Sequence, residues 1–185
     1  MYLWNVEVNP DAALAHNATV MGNVHLAEKV SVYPNSVIRA DNYEIAIGNE
    51  TNIQDNCTVH VSVSGPCHIG SKVTVGHNAI IHGCIIEDEC LVGMGAIVMD
   101  HARVGRGSVI GAGALVPEGM EIPPYSLVVG IPARIKRSIT PEEHKEQLRQ
   151  CQMYVEESQA MAQAGVFYFG SSIPFDHATI LLKQS

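Results

Sequence analysis

From Val8 onward an aliphatic residue returns at every sixth position. Leu14, Val20, Leu26, Val32 and Ile38 open successive blocks of six, and Ile47, Ile53 and Val59 resume the series after a slip. Ile69, Val75 and Ile81 follow a second slip, and Ile86, Val92, Val98, Val104, Ile110 and Val116 a third. The fifth place of a block is usually small or β-branched, and the second is often Gly or Ala. A helix needs apolar residues three and four apart and a half-buried strand alternates, so neither explains a sustained period of six. The period predicts a coil with flat sides. Each hexapeptide makes a short strand and a corner with its leading aliphatic turned inward. Three hexapeptides close a triangular turn, and turns stack with the parallel-strand spacing of about 4.8 Å. Because each repeat buries its face only against the next, the expected architecture is a solenoid. The expected fold class is all-β, a parallel β-helix over residues 1–139, followed by a C-terminal α-helix over 140–165 and a tail over 166–185.

The C-terminal third departs from the period. "VPEGMEIPPYSLVVGIPARIKR" reads as a closing coil whose prolines and "GIPAR" end strand pairing. "TPEEHKEQLRQCQMYVEESQAMAQAG" then reads as a helix. Thr140 suits the N-cap, Pro141 the first helical position, Glu142 and Glu143 the positive end, and Gly165 the stop. Leu148, Cys151, Val155 and Ala162 form a thin apolar stripe, expected to lie along the outside of a solenoid, its own or a neighbour's. In the tail, clustered aromatics and an apolar patch at 178–182 leave open which chain it docks on.

The three slips fall near residues 39–46, 60–68 and 82–85, and such irregularities become loops on one edge of a solenoid. All three candidate histidines, His60, His77 and His82, lie beside two of them, and His60 and His82 are both second in their blocks and three hexapeptides apart. One full turn separates them, so they are expected on the same face of adjacent coils, close enough to share a metal ion at roughly 2.0–2.1 Å from each nitrogen. His77 is third in its block, on the preceding face, and points away from the other two within one chain. Across the interface of a three-fold assembly it can meet His60 and His82 of a neighbour.

Composition narrows the possibilities. With 46% hydrophobic and 16% charged residues the chain has enough apolar content for a folded core. The net charge of −8 argues against nucleic acid or an anionic membrane as partner. No apolar run reaches a membrane span, and "MYLWNVEVNP" lacks the form of a signal peptide, so the expected location is cytoplasmic. Five cysteines without a CxxC pair (Cys57, Cys67, Cys84, Cys90 and Cys151) read as buried free thiols.

"RADN" at 39–42, "NIQDN" at 52–56, His60, the "GH" at 76–77 and the "HGC" at 82–84 resemble the gamma-class carbonic anhydrase family of hexapeptide-repeat proteins. The likeness covers residues 8–138 and is strongest to the short-loop members found in phenylacetate and carnitine operons. It implies a left-handed coil, a homotrimer, and zinc (iron or cobalt being possible) held between subunits by His60 and His82 of one chain and His77 of the next. It implies reversible hydration of carbon dioxide to bicarbonate, with a metal-bound hydroxide as nucleophile. Gln54 and Asn52 match the polar residues that orient that nucleophile. Arg39 and Asp55 match an ion pair across the subunit interface, and Asp41 lies in the same stretch.

One feature departs from the family pattern. Active members carry a glutamate directly after the R-x-D aspartate and another in an acidic loop past the first ligand, whereas here Asn42 and the carboxylate-free "VSVSGPC" stand in those places. The expectation is slow turnover for want of a proton shuttle. Another zinc-dependent hydrolase such as an acyl-CoA thioesterase, a hexapeptide acyltransferase and a non-catalytic scaffold remain as alternatives. The other histidines (His16, His25, His68, His101, His144 and His177) are expected in structural or surface roles, with His68 the one most easily mistaken for a ligand.

Overall fold

In the computed structural model, which describes residues 5–174, 176–177 and 179–180, the period of six is the architecture. The leading aliphatics from Leu14 to Val116 are all at most 3% exposed and stack down the middle of a prism. Fifth-place residues such as Ala18, Cys57, Ala79, Cys90, Ala96 and Ala114 are buried beside them. Two of the five cysteines are thus corner fillers, and all five are free and buried.

The corners are made at the fourth place. Lys29, Asn35, Asn56, Gly95 and Gly113 have φ of 54°, 61°, 60°, 67° and 66° there, in the left-handed region that Gly and Asn enter most readily. Second-place glycines answer a different demand, the closeness of the next coil. A β-carbon on Gly93 would sit 2.5 Å from the Ala112 backbone nitrogen.

Three faces result. Thr58–His60, Ile80–His82, Ile97–Val98 and Leu115–Val116 stack on one. Cys67–Ile69, Ile85–Ile86, Arg103–Val104 and Glu121–Ile122 stack on the second. The long strands Thr19–Leu26 and Val37–Ile47 run from the first face to the second and join them into one sheet. The third face runs from Ala13–Ala15 through Asn52–Ile53, Thr74–Val75 and Leu91–Val92 to Ser126–Gly130. Pairing is parallel throughout these stacks. In regular turns partners are 18 positions apart, as Leu91 with Val109. Across the slips the separation is 21 (Arg39 with His60), 22 (Thr58 with Ile80) and 17 (Thr74 with Leu91). The first two slips are insertions and the third is a deletion, and none disturbs the stacking on either side.

The closing segment differs from expectation. "GIPAR" does not end pairing; it reverses the chain, and Ala133–Ser138 returns antiparallel along Ser126–Gly130. The helix, α1, spans Pro141–Gln163 with Thr140 and Glu143 in a reciprocal capping box, and Gly165 follows its end at φ 74°. Its buried face is Gln147, Cys151, Val155, Ser158 and Ala162, with Leu148 only half-buried. The stripe read from apolar residues alone missed Gln147 because the helix rests on corner carbonyls. Gln147 Nε2 donates to the Glu89 carbonyl, Cys151 Sγ to that of Glu50 at 3.3 Å, and Gln159 Nε2 to that of Asp11 at 2.8 Å. Phe167–Phe169 lies antiparallel on Ala13–Ala15, and the Val20 N–H donates to the Thr179 carbonyl at 2.7 Å, so the tail closes the first coils of its own chain. Of the apolar patch at 178–182, Ala178, Leu181 and Leu182 lie outside the described residues. No helix among the described residues is long and apolar enough to cross a membrane.

The central stack makes a simple prediction. Ile81→Ala, at a fully buried leading position, costs about 2–5 kcal/mol by lost burial and cavity formation. Urea unfolding should show a lower midpoint, whereas Ile135→Ala, half-exposed on the terminal strand, should leave the midpoint nearly unchanged.

Candidate metal centre

Parallel register places Arg39, His60 and His82 at equivalent points of three successive coils, with His82 directly opposite His60. The His60 Nδ1 and His82 Nε2 atoms are 3.0 Å apart. Side-chain exposures of 22% and 34% keep both rings at the rim, open to solvent on one side.

Each ring is held from behind by a carboxylate. His60 Nε2 meets Asp41 Oδ2 at 2.8 Å, and His82 Nδ1 is bonded to Asp100 Oδ1. The hydrogen bond from His60, reinforced by Arg39, lowers the pKa of Asp41. Burial works against ionisation of Asp100, but hydrogen bonds from His82 and Ser62 outweigh it and lower its pKa as well. An ionised carboxylate only accepts, so each imidazole must donate from the nitrogen facing its aspartate. The nitrogens left over are the two that face each other, and in neutral rings both carry lone pairs. Two acceptors at 3.0 Å repel unless a cation lies between them. Two imidazole nitrogens on a tetrahedral zinc would be roughly 3.3–3.4 Å apart, given bonds of about 2.0–2.1 Å. The pair therefore fits a metal ion in donor chemistry and nearly in spacing.

His77 shows the same arrangement elsewhere. Its Nδ1 lies 2.9 Å from Asp55 Oδ2, which leaves Nε2 as the lone-pair nitrogen. It lines a groove of about 340 Å³ with Gln54, Thr74, Met94, Ala112 and Tyr154, on the side of the prism where the helix packs. Among the described residues no three potential ligands come together, so one chain alone brings two of the three histidines to a point. Gln54 and Asn52 are buried beside His77's groove. Gln54 Nε2 donates to Asn52 Oδ1 at 3.2 Å, and Asn52 Nδ2 donates to Thr74 Oγ1 at 2.9 Å. Within the chain Arg39 pairs with Asp41 and Asp55 with His77.

Asp100 was missed in the sequence, although a signal existed. It follows His82 by 18 residues, one position past the 17-residue register of these coils, as Asp41 precedes His60 by 19 and Asp55 precedes His77 by 22. The other histidines have ordinary partners. His25 bonds Glu7, His68 bonds Glu44, His16 stacks on Tyr168 and His144 lies 3.1 Å from Glu89. His177 accepts from backbone N–H groups at Thr179 and Ile180. His101 is bonded to Ser64.

A parallel hexapeptide solenoid with carboxylate-backed histidines on adjacent coils defines the class, and comparison with known proteins gives the family. The pattern described as bacterial transferase hexapeptide (six repeats) matches residues 83–118. The chain is 47% identical over 154 residues to a protein of Methanocaldococcus jannaschii named "Probable carbonic anhydrase", covering 83% of this chain and 97% of that one. It is 42% identical over 142 residues to gamma carbonic anhydrase 1, mitochondrial, of Arabidopsis thaliana, covering 74% of this chain and 52% of that one. The solved structure of a hexapeptide transferase family protein from Anaplasma phagocytophilum superposes with a TM-score of 0.81 at 36% identity, covering 84% of this chain and 92% of that one. The chain belongs to the gamma-class carbonic anhydrase-like family of hexapeptide-repeat proteins.

If Asp100 fixes the tautomer of His82, Asp100→Asn should weaken zinc affinity by about 10–100-fold, the usual effect of losing such an outer partner. Competition with a chromogenic chelator measures this. Thermal melting of the metal-free protein should change little.

Proposed function

We propose that this chain hydrates carbon dioxide reversibly to bicarbonate at a metal site completed between neighbouring chains of a homotrimer. His60 and His82 of one chain and His77 of its neighbour hold the metal, with zinc the first choice and iron or cobalt suited to the same donors. The observation that carries the reading is the pair of imidazole nitrogens 3.0 Å apart, each ring backed by an aspartate. When bound, the metal supplies Lewis acidity, bringing the pKa of a coordinated water to about 7.

The chain's own residues do the rest. Asp41, Asp55 and Asp100 hold the rings in their ligating tautomers. Asn52 occupies the Gln54 amide nitrogen, which leaves Gln54 Oε1 to accept a hydrogen bond from the attacking water. Both amides are at most 3% exposed, so they act in a dry wall. Arg39, with its side chain 45% exposed beside Asp41, is free to reach Asp55 of a neighbouring chain and set the interface. Five free, buried cysteines and a net charge of −8 suit a reducing cytoplasm.

A site shared between chains predicts complementation. His77→Ala and His82→Ala trimers should each bind no zinc tightly and hydrate no carbon dioxide. Co-assembled in equal amounts, they should regain about one quarter of the sites, because three in four trimers are mixed and each mixed trimer rebuilds one interface. Failure of the mixture to recover both metal and activity would count against a shared site. Tight zinc binding by wild type without hydration activity would move the reading to another hydrolytic substrate.

A further inference from the structure

The expected shuttle glutamates are absent, yet hydration releases a proton that has to leave the site. The structure places one exposed titratable group beside both ligand-bearing strands. His101 occupies the fourth place of its block, at φ 59°, on the coil that follows His82. Its backbone N–H donates to the carbonyl of Gly83, the residue after His82, at 2.8 Å. Its neighbour Asp100 holds the His82 ring.

The His101 imidazole lies over the loop inserted after His60. Ser64 Oγ of that loop is 3.0 Å from His101 Nε2, and Cε1 of the ring would lie 3.6 Å from a β-carbon on Gly65. Ser64 Oγ is in turn 3.3 Å from Ser62 Oγ, and Ser62 Oγ donates to Asp100 Oδ2 at 3.1 Å. The four-residue insertion is thus pinned at two points to the coil beyond His82. One pin is a carboxylate that positions a candidate ligand, and the other is a solvent-exposed imidazole.

We propose that His101 is the proton acceptor of this site, standing in for the missing carboxylates; the proposal rests on the reading of the site as a carbon dioxide hydrase. The water that attacks carbon dioxide gives up one proton to solvent at the His60–His82 edge. The neutral His101 ring takes it up, becomes imidazolium, and returns it to a buffer base. No proton passes through His82 or Asp100. Ser64 orients the ring, and Ser62 ties the loop to the ligand-bearing coil. An imidazole suits the task because it can both accept a proton and hand it on to a buffer base. The carboxylate of Asp100 is the charged group that acts on it.

The test uses His101→Asn, since Asn holds the same corner with the same left-handed backbone at Asn35, Asn56 and Asn78. Oxygen-18 exchange on the zinc-loaded trimer separates two steps: interconversion of carbon dioxide and bicarbonate, and proton-dependent release of labelled water. His101→Asn should lower water release by about tenfold or more while leaving interconversion unchanged, and added imidazole should restore it. A structural role would not be rescued by buffer. Unchanged water release, or a loss that imidazole does not rescue, overturns the proposal while the hydrase reading stands. Wild type without interconversion overturns the hydrase reading, and this one with it. In the metal-free protein, Ser64→Ala should shift the His101 Nε2 resonance in nitrogen-15 NMR, and an unmoved resonance also counts against the assignment.

Discussion

Parallel stacking at constant register governs this protein. One coil hydrogen-bonds to the next along each flat face, so a residue's environment is set by what lies one turn before and after it. Buried aliphatics at the leading places and left-handed corners at the fourth places keep the coils in step. Three slips change the length of single turns to 21, 22 and 17 residues, yet pairing resumes in phase each time. The slips therefore alter only the edges. The candidate ligands His60 and His82 lie beside those edges, while His77 and Gln54 lie at the third-face groove.

Stacking is also what makes the candidate site chemically unusual. Register alone would place two imidazoles side by side on many solenoids, where one could donate to the other. Here each imidazole is approached by an aspartate from behind, so both inward nitrogens are acceptors. With both rings neutral the inward nitrogens are two acceptors, a conflict that a proton or a metal ion between them resolves. His77 repeats the device with Asp55 in a place where, among the described residues, no group of three possible ligands forms. In the proposed trimer a third ligand from a second subunit would make metal binding and assembly depend on one another.

Much of this was legible before any coordinates. The period of six gave the solenoid, and counting three hexapeptides between His60 and His82 gave their adjacency, because stacking converts sequence distance into spatial distance without ambiguity. The helix caps were legible for a local reason, since Thr140, Pro141 and Glu143 satisfy groups within one turn. What escaped was non-local and polar. Asp100 is one turn from His82, but aspartate is common at corners and nothing marks this one until the ring lies against it. Gln147 was passed over in favour of Leu148 because an apolar stripe cannot show that the helix lies on corner carbonyls. The antiparallel return after "GIPAR" and the folding of the tail onto its own first coils depend on packing at the two ends, where the period gives no guidance.

The most direct test of the central claim is X-ray absorption at the metal edge of the zinc-loaded protein, with His77→Ala alongside it. Three imidazole nitrogens and one oxygen donor at about 2.0–2.1 Å in the wild type, falling to two imidazoles in the weakly binding variant held at excess zinc, is the predicted result. A sulfur ligand near 2.3 Å, a closed set of four protein ligands, or an unchanged imidazole count in His77→Ala would contradict it.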